Sequence, residues 1–277
     1  MQNQIFSFSF RGQLKPIEFP CVMGILNLTT DSFYSGSQID ATHPLLETAT
    51  KMVNEGAAIL DIGAVSTHPG VDLLTENEEL KRLLPSLKLI RKEFPNILIS
   101  VDTFRANVAI KAADEGADII NDISGGTMDE AMFKTIAALH IPYILMHIQG
   151  TPKTMQNSPV YENVVKEVNY FLAQQIIKAE QAGVYDIIID PGFGFGKTVE
   201  HNFELLNKLE LFHIHNKPIL AGLSRKSMIY KTLNVSPDDS LNGTTALNSI
   251  AVAKGAHILR VHDVKEASEV IQLVARR

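Results

Sequence analysis

Thiols are nearly absent from this chain: its single cysteine, Cys21, leaves no way to form an intrachain disulfide. Residues 1–11 also lack the apolar core of a signal peptide, so the expected compartment is the reducing cytoplasm. No apolar run approaches the roughly 18 residues that a membrane helix needs, which excludes a membrane-spanning reading. Positive charge is in short supply as well. Lys plus Arg number 25 against 31 Asp plus Glu, a net charge of −6, which argues against a nucleic-acid partner. There is no HExxH and no paired-cysteine spacing to hold zinc, so a metal here would be a hard cation bound by oxygens and phosphates, Mg2+ first. A spaced GxGxxG dinucleotide fingerprint is missing too. GFGFGKT (192–198) invites a phosphate-loop reading, but the first glycine of that pattern is replaced by Pro191. Neither a linker nor a low-complexity stretch interrupts the sequence, and 45% hydrophobic with 20% charged residues is ordinary globular composition, sufficient for a sizeable core.

What the chain does contain is a repeat. From Cys21 onward, short β-branched apolar runs alternate with stretches of helical periodicity, eight times over. The runs predict strands at Cys21–Asn27, Ala57–Ile62, Ile97–Asp102, Ala117–Ile123, Pro142–His147, Asp186–Asp190, Pro218–Ser224 and Ala256–His262. Most are continuously apolar, as parallel strands covered on both faces must be. Between them, Leu45, Leu46, Ala49, Met52 and Val53 share one helical face, as do Leu80, Leu83, Leu84, Leu87 and Ile90. Thr75 with Glu78 spells a capping box at the start of the second helix, and Pro85 predicts a kink in it. Gly56, Gly116, Gly183 and Gly255 each precede an even-numbered strand, where a helix must stop. Eight such pairs fit a closed (β/α)8 TIM barrel in the class α/β better than an open doubly wound sheet. The expectation is therefore a single domain over 1–277, with a hairpin over residues 1–20 (IFSFSF and LKPIEF) closing the bottom of a barrel over 21–277.

In such a barrel the chemistry lies where strands end. Those ends are almost all polar: Asn27, Asp61, Asp102, Asn121, His147, Asp190, Ser224 with Arg225 and Lys226, and Arg260 with His262. Carboxylates, amides and cations converging on one rim suit a hydrogen-bonding heterocycle with an anionic tail. Arg225, Lys226, Arg260 and His262 stand on the seventh and eighth strands, where barrels often bind phosphate. His213 and His215 read as a solvated face.

With their neighbours, these rim residues resemble the dihydropteroate synthase family. The segments are MGILNLTTDSFYSG (23–36), DIGAVSTHPG (61–70), ISVDT (99–103), GADIINDISGG (116–126), ILMHIQGTPKTMQ (144–156), IIIDPGFGFGKT (187–198), LAGLSRKS (220–227) and NGTTALNSIAVAKGAHILRVHDV (242–264). The resemblance implies joining of 6-hydroxymethyl-7,8-dihydropterin diphosphate to p-aminobenzoate, with Mg2+, in a homodimer whose substrates are small molecules. It places Asp102, Asn121, Asp190 and Lys226 on the pterin's polar edge, Phe195 and Gly222 against the rings, and Ile123 and Met146 on the apolar wall. Asn27, Arg260 and His262, with His68, would hold the diphosphate, and Asn27 the metal. Catalysis would fall to Asp102, Lys226, Arg260 and His262. Phe33, Thr67, Pro69, Phe195 and Ser227 match p-aminobenzoate contacts, and loops 28–42 and 63–74 resemble the family's lids. Thr30, Ala64-Val65 and His68 depart from the commonest pattern, which has Pro, Gly-Glu and Arg there. A non-catalytic pterin- or folate-binding module would not need SRKS and RVH. An aldolase or isomerase barrel would want a Schiff-base Lys or general-base Glu at a strand end.

Overall fold

The structure, a computed structural model of the chain, describes residues 4–10, 12–28, 38–64, 74–155 and 159–275, and for 4–5 and 38–43 the backbone alone. Two strands, β1 (Gln4–Phe10) and β2 (Gln13–Phe19), form an antiparallel hairpin in the register Gln4↔Phe19 to Phe10↔Gln13. Eight parallel strands then follow: β3 (Cys21–Asn27), β4 (Ile59–Gly63), β5 (Leu98–Asp102), β6 (Ile119–Asp122), β7 (Tyr143–Met146), β8 (Ile187–Asp190), β9 (Leu220–Ala221) and β10 (Ile258–Val261). Their hydrogen-bonded order is β8-β7-β6-β5-β4-β3-β10-β9. The remaining seam is closed by a bridge between Ile189 and Ile219, with the Ile189 amide donating to Pro218 O at 2.9 Å.

β3 keeps its whole run, Cys21–Asn27, while the other seven strands are shorter than theirs, because a barrel strand keeps its ladder only where both neighbours overlap. The largest difference is at the seventh strand of the barrel. The run Pro218–Ser224 pairs regularly over Leu220–Ala221 alone, and residues from Gly222 on turn toward the rim. The helices wrapping the barrel are α1 (Gln38–Asn54), α2 (Glu76–Glu93), α3 (Ala106–Asp114), α4 (Met132–Leu139), α5 (Val164–Gln181), α6 (Val199–Asn207), α7 (Ser227–Leu233), α8 (Leu241–Ala253) and α9 (Val264–Val274). Helix α1 begins inside the stretch 28–42 that was expected to be loop. The capping box of α2 forms as expected, Glu78 N–H on Thr75 Oγ1 and Thr75 N–H on Glu78 Oε2, and the helix continues through Pro85. Gly56, Gly116, Gly183 and Gly255 all have φ between 94° and 108°, the left-handed region that ends a helix without a side-chain clash.

Two cores result. The larger lies between strands and helices; the smaller lies inside the barrel, where Met23, Ile59, Ile119, Ile144, Ile188, Leu220 and Ile258 meet Phe8, Phe10, Ile17 and Phe19 of the hairpin. The alternation of the hairpin therefore turns its apolar face into the barrel's bottom, as its sequence predicts. Cys21 is buried in that inner core, where loss of solvation pushes its thiol up to about 12.

Candidate active site

Side chains two residues apart on a strand face the same way, so the inner face can be followed upward from the hairpin. It changes from apolar to polar within one step: Ile59 to Asp61, Leu98 to Ser100 and Asp102, Ile119 to Asn121, Ile188 to Asp190, Ile258 to Arg260. The bottom of the barrel is thus a packed core and the top a polar cup.

At its centre is Arg260. Its Nε donates to Asp61 Oδ2 at 2.6 Å and its Nη2 to Asp102 Oδ2 at 3.0 Å. Asp61 also accepts from Asn121 Nδ2 at 3.2 Å, and its other oxygen, Oδ1, is buried without a partner among the described residues. A fully buried carboxylate with one unmet oxygen is costly unless something else enters the cup, so Asp61 points to a ligand or water there. Burial pushes Asp102 up to about 7, with the Arg260 cation opposing that rise and Asp61 adding to it. Gly63 leaves space between Asn27 and Asp102: a Cβ there would lie 3.6 Å from Asn27 Oδ1 and 3.5 Å from Asp102 Cβ. Asn27 itself is exposed at the rim.

Across the cup, Asp190 is buried and its Oδ1 accepts from Gly192 N–H at 2.7 Å. Burial raises its pKa and the nearby Lys226 cation lowers it. Lys226 Nζ donates to Phe193 O and lies 4.7 Å from the centre of the Phe195 ring. Loss of solvation draws this ammonium down to about 8, against the pull of Asp190. Gly222 faces it, with an added Cβ 3.8 Å from Lys226 Nζ. Ile123, Met146 and Phe195 form one apolar cluster with Phe104, Ile148 and Met155, which brings the three together on one side of the cup. His262 stands exposed beside Ser224, whose Oγ is 3.0 Å from its Nδ1. Ser227 opens α7 and is half-buried.

Two supporting networks escaped the sequence. Asp122 accepts from Ser124 N–H and Oγ at 2.7 Å, Gly126 N–H at 3.0 Å and Tyr143 Oη at 2.6 Å, which fixes the loop carrying Ile123. Buried Glu79 takes the Thr103 hydroxyl at 2.7 Å and pairs with Arg105, which also donates to Leu74 O at 2.6 Å.

Three expectations need correction or fall elsewhere. Arg225 does not join the cup: with φ +55° it turns outward, donating to Asp263 at 2.7 Å and 3.1 Å and to Asp238 at 2.9 Å. His213 and His215 are half-buried, not solvated; His215 Nε2 meets Asn169 Oδ1 at 2.9 Å and the His213 ring packs edge-on against His257. Thr30, Phe33, Val65, Thr67, His68 and Pro69 lie outside the described residues.

Fold and cup together define a (β/α)8 barrel enzyme for a planar polar ring, and the sequence profile described as pterin binding enzyme matches residues 23–262. Dihydropteroate synthase of Escherichia coli K12 is 44% identical over 266 residues, 95% of this chain and 94% of the relative. That of Haemophilus influenzae is 44% identical over 259 residues, 93% of this chain and 94% of the relative. In structure, the chain is similar to Yersinia pestis dihydropteroate synthase in complex with a sulfonamide drug, with TM-score 0.90, 39% identity and 98% of each chain covered. Xanthomonas albilineans dihydropteroate synthase with 7,8-dihydropteroate gives TM-score 0.87 at 32% identity, again over 98% of each chain. The chain belongs to the dihydropteroate synthase family.

Proposed function

We propose that this chain condenses 6-hydroxymethyl-7,8-dihydropterin diphosphate with p-aminobenzoate to give 7,8-dihydropteroate and pyrophosphate. The observation that carries this reading is the single cup in which Asp190, Asn121 and Lys226 face Arg260 and Asp102. A pterin edge offers N–H donors beside a carbonyl acceptor, and a buried site must supply a carboxylate, an amide and a cation to match them. Arg260 and His262 at the rim suit the diphosphate. Arg260 has five N–H donors and uses two of them on Asp61 and Asp102, leaving capacity for phosphate oxygens.

The reaction breaks the methylene C–O bond and forms a C–N bond to the aryl amine, which releases one proton. Negative charge grows on pyrophosphate while the pterin methylene becomes cationic. Arg260 opposes the first by charge, His262, held down to about 4 by burial and by Arg260, can add only a neutral imidazole's hydrogen bond, and Asp102, ionised, opposes the second. This arrangement favours a dissociative route, and no covalent nucleophile is needed. Phe195, Phe33, Thr67, Pro69 and Ser227 are the residues we assign to p-aminobenzoate, and His68 adds to the diphosphate side.

For Mg2+, the donor chemistry fits: Asn27 is exposed at the rim, its amide oxygen and Asp102 flank Gly63, and Mg2+ characteristically takes one or two protein oxygens together with substrate phosphates and water. When bound it would neutralise charge on the diphosphate. We also infer a homodimer through the late helices, where Leu233, Ile250 and Leu273 are exposed. A cytoplasmic setting is supported by the lone buried thiol.

The test is pyrophosphate release by the purified protein given both substrates and Mg2+. Release should require p-aminobenzoate and fall by two or more orders of magnitude in Asp190→Ala and in Arg260→Ala. Release indifferent to p-aminobenzoate would overturn the reading, and an α-deuterium effect near unity would count against the dissociative route.

A further inference from the structure

The glycine-rich segment Pro191–Thr198 has no phosphate-loop pattern, yet its lysine is one of the most enclosed polar residues in the molecule. Lys197 is 2% exposed. Its Nζ lies 2.8 Å from Gly192 O, 2.9 Å from Phe195 O and 2.9 Å from His147 Nδ1. All its close partners are internal, so this amino group is not offered to a phosphate.

The chain can fold around it because Gly192, Gly194 and Gly196 have φ of 71°, 84° and 63°. A Cβ at Gly192 would overlap His147 O, and one at Gly196 would lie 2.6 Å from Gln149 O. The turn is held from outside as well, by Asn202 Oδ1 accepting Gly194 N–H at 2.6 Å and Tyr161 Oη donating to Gly196 O at 2.8 Å. Its other surface belongs to the cup. Gly192 N–H fixes Asp190, Phe193 O takes the Lys226 ammonium, and the Phe195 ring lies under that same ammonium. Two lysines therefore grip one turn from opposite sides, Lys197 through the carbonyls of Gly192 and Phe195 and Lys226 through the carbonyl of Phe193.

We propose that Lys197 is a positioning residue for the ring half of the site: by pinning the 191–198 turn from within, it sets the placement of Phe195, Lys226 and Asp190, and so the affinity for the pterin. The inference rests on the reading under Proposed function. Lys197 touches no reacting atom; its effect is on ring binding and not on departure of pyrophosphate, which belongs to Arg260 and His262 on the other side of the cup. His147 shares the task. Burial and the neighbouring Lys197 hold its imidazole down to about 2, so it stays neutral with a ring nitrogen 2.9 Å from Nζ.

The experiment compares wild type with Lys197→Met, which keeps an unbranched apolar stem and removes the polar end, and with Lys197→Gln, which restores a shorter donor. Steady-state rates, equilibrium binding of the pterin diphosphate without p-aminobenzoate, and Tm are measured on each. The expected result for Lys197→Met is a KM and Kd for the pterin diphosphate raised tenfold or more, kcat reduced less than threefold, and part of the affinity regained in Lys197→Gln. Lower Tm with unchanged pterin Kd would overturn the proposal by making Lys197 a stability residue only. A kcat loss with unchanged KM would overturn it too. Should Lys197→Met fail to fold, Lys197→Gln carries the same criterion with at least a threefold rise in Kd. A wild type that binds pterin diphosphate without forming product would refute the proposed reaction, while the Kd comparison still decides the role of Lys197.

Discussion

Asp61→Asn is the most informative single change to the cup. The side chains are nearly isosteric, so packing is kept and only charge and one lone-pair oxygen are altered. In the wild type, Arg260 Nε bonds an ionised oxygen at 2.6 Å. The wild-type bond has two charged partners and the variant's only one; with hydrogen bonds to charged groups contributing about 1.5–3 kcal/mol, loss of the ionic part loosens Arg260 by roughly 1–2 kcal/mol. If that tether is expressed in the transition state, kcat/KM falls about 5- to 30-fold at 1.4 kcal/mol per factor of ten. A second effect is separable. Asp61 is one of the like charges that raise Asp102 toward about 7, so its neutralisation must lower that value. If catalysis requires ionised Asp102, activity rises with pH through that value, and in Asp61→Asn this limb moves to lower pH even as the plateau drops. Profiles of kcat/KM from pH 5 to 9 for both proteins, with the same substrates, cancel the ionisation of the diphosphate itself. A variant within twofold of wild type whose acid limb stays in place would refute both the tether and the charge coupling.

Two other perturbations test the scaffold. His257 is buried at the barrel seam, where its Nδ1 accepts from Ile219 N–H at 3.0 Å, and burial with His213 nearby depresses it from 6.5 to about 4. A depressed histidine contributes fully above its unfolded pKa and loses that contribution as pH falls from about 6.5 toward 4. The stability of wild type relative to His257→Gln should therefore drop by about 3 kcal/mol between pH 7 and pH 4 in denaturant titrations; a difference independent of pH refutes the assignment. Gly192→Ala forces a left-handed alanine, costing about 1–2 kcal/mol, and drives its methyl into the His147 carbonyl, about 1–3 more. Its Tm should fall by roughly 10 °C, and an unchanged Tm would show that the turn is not as rigid as described.

The barrel was legible because its physics is local. Strands buried on both faces are continuous apolar runs, and the hairpin's FSFSF alternation can only pack one side inward. Asp61 had a signal too: it sits two residues beyond Ile59, on the same inward face, one step above the layer where the other strands are apolar. Nothing local marked Arg225, however, whose outward turn depends on φ +55° and on Asp238 and Asp263 from later elements. Lys197 was invisible for a similar reason. Beside three glycines it reads as a solvated loop lysine, and its burial involves His147, fifty positions earlier in sequence, which meets it from the end of the neighbouring strand.

The cup's charges also explain how one site can oppose two growing charges of opposite sign. Arg260 lies between them: two acids on its inner side hold it, and its remaining donors serve the rim. Were it free of Asp61 and Asp102, a guanidinium so near the pterin would repel the cation that must form there. Were the two acids unpaired, their charge would work against diphosphate binding. Sharing the guanidinium offsets part of the rise that burial imposes on Asp102. In the proposed assignment Arg260 is the side chain that links the acids of the ring half to the leaving-group half, and Asp61→Asn is the variant that tests that link.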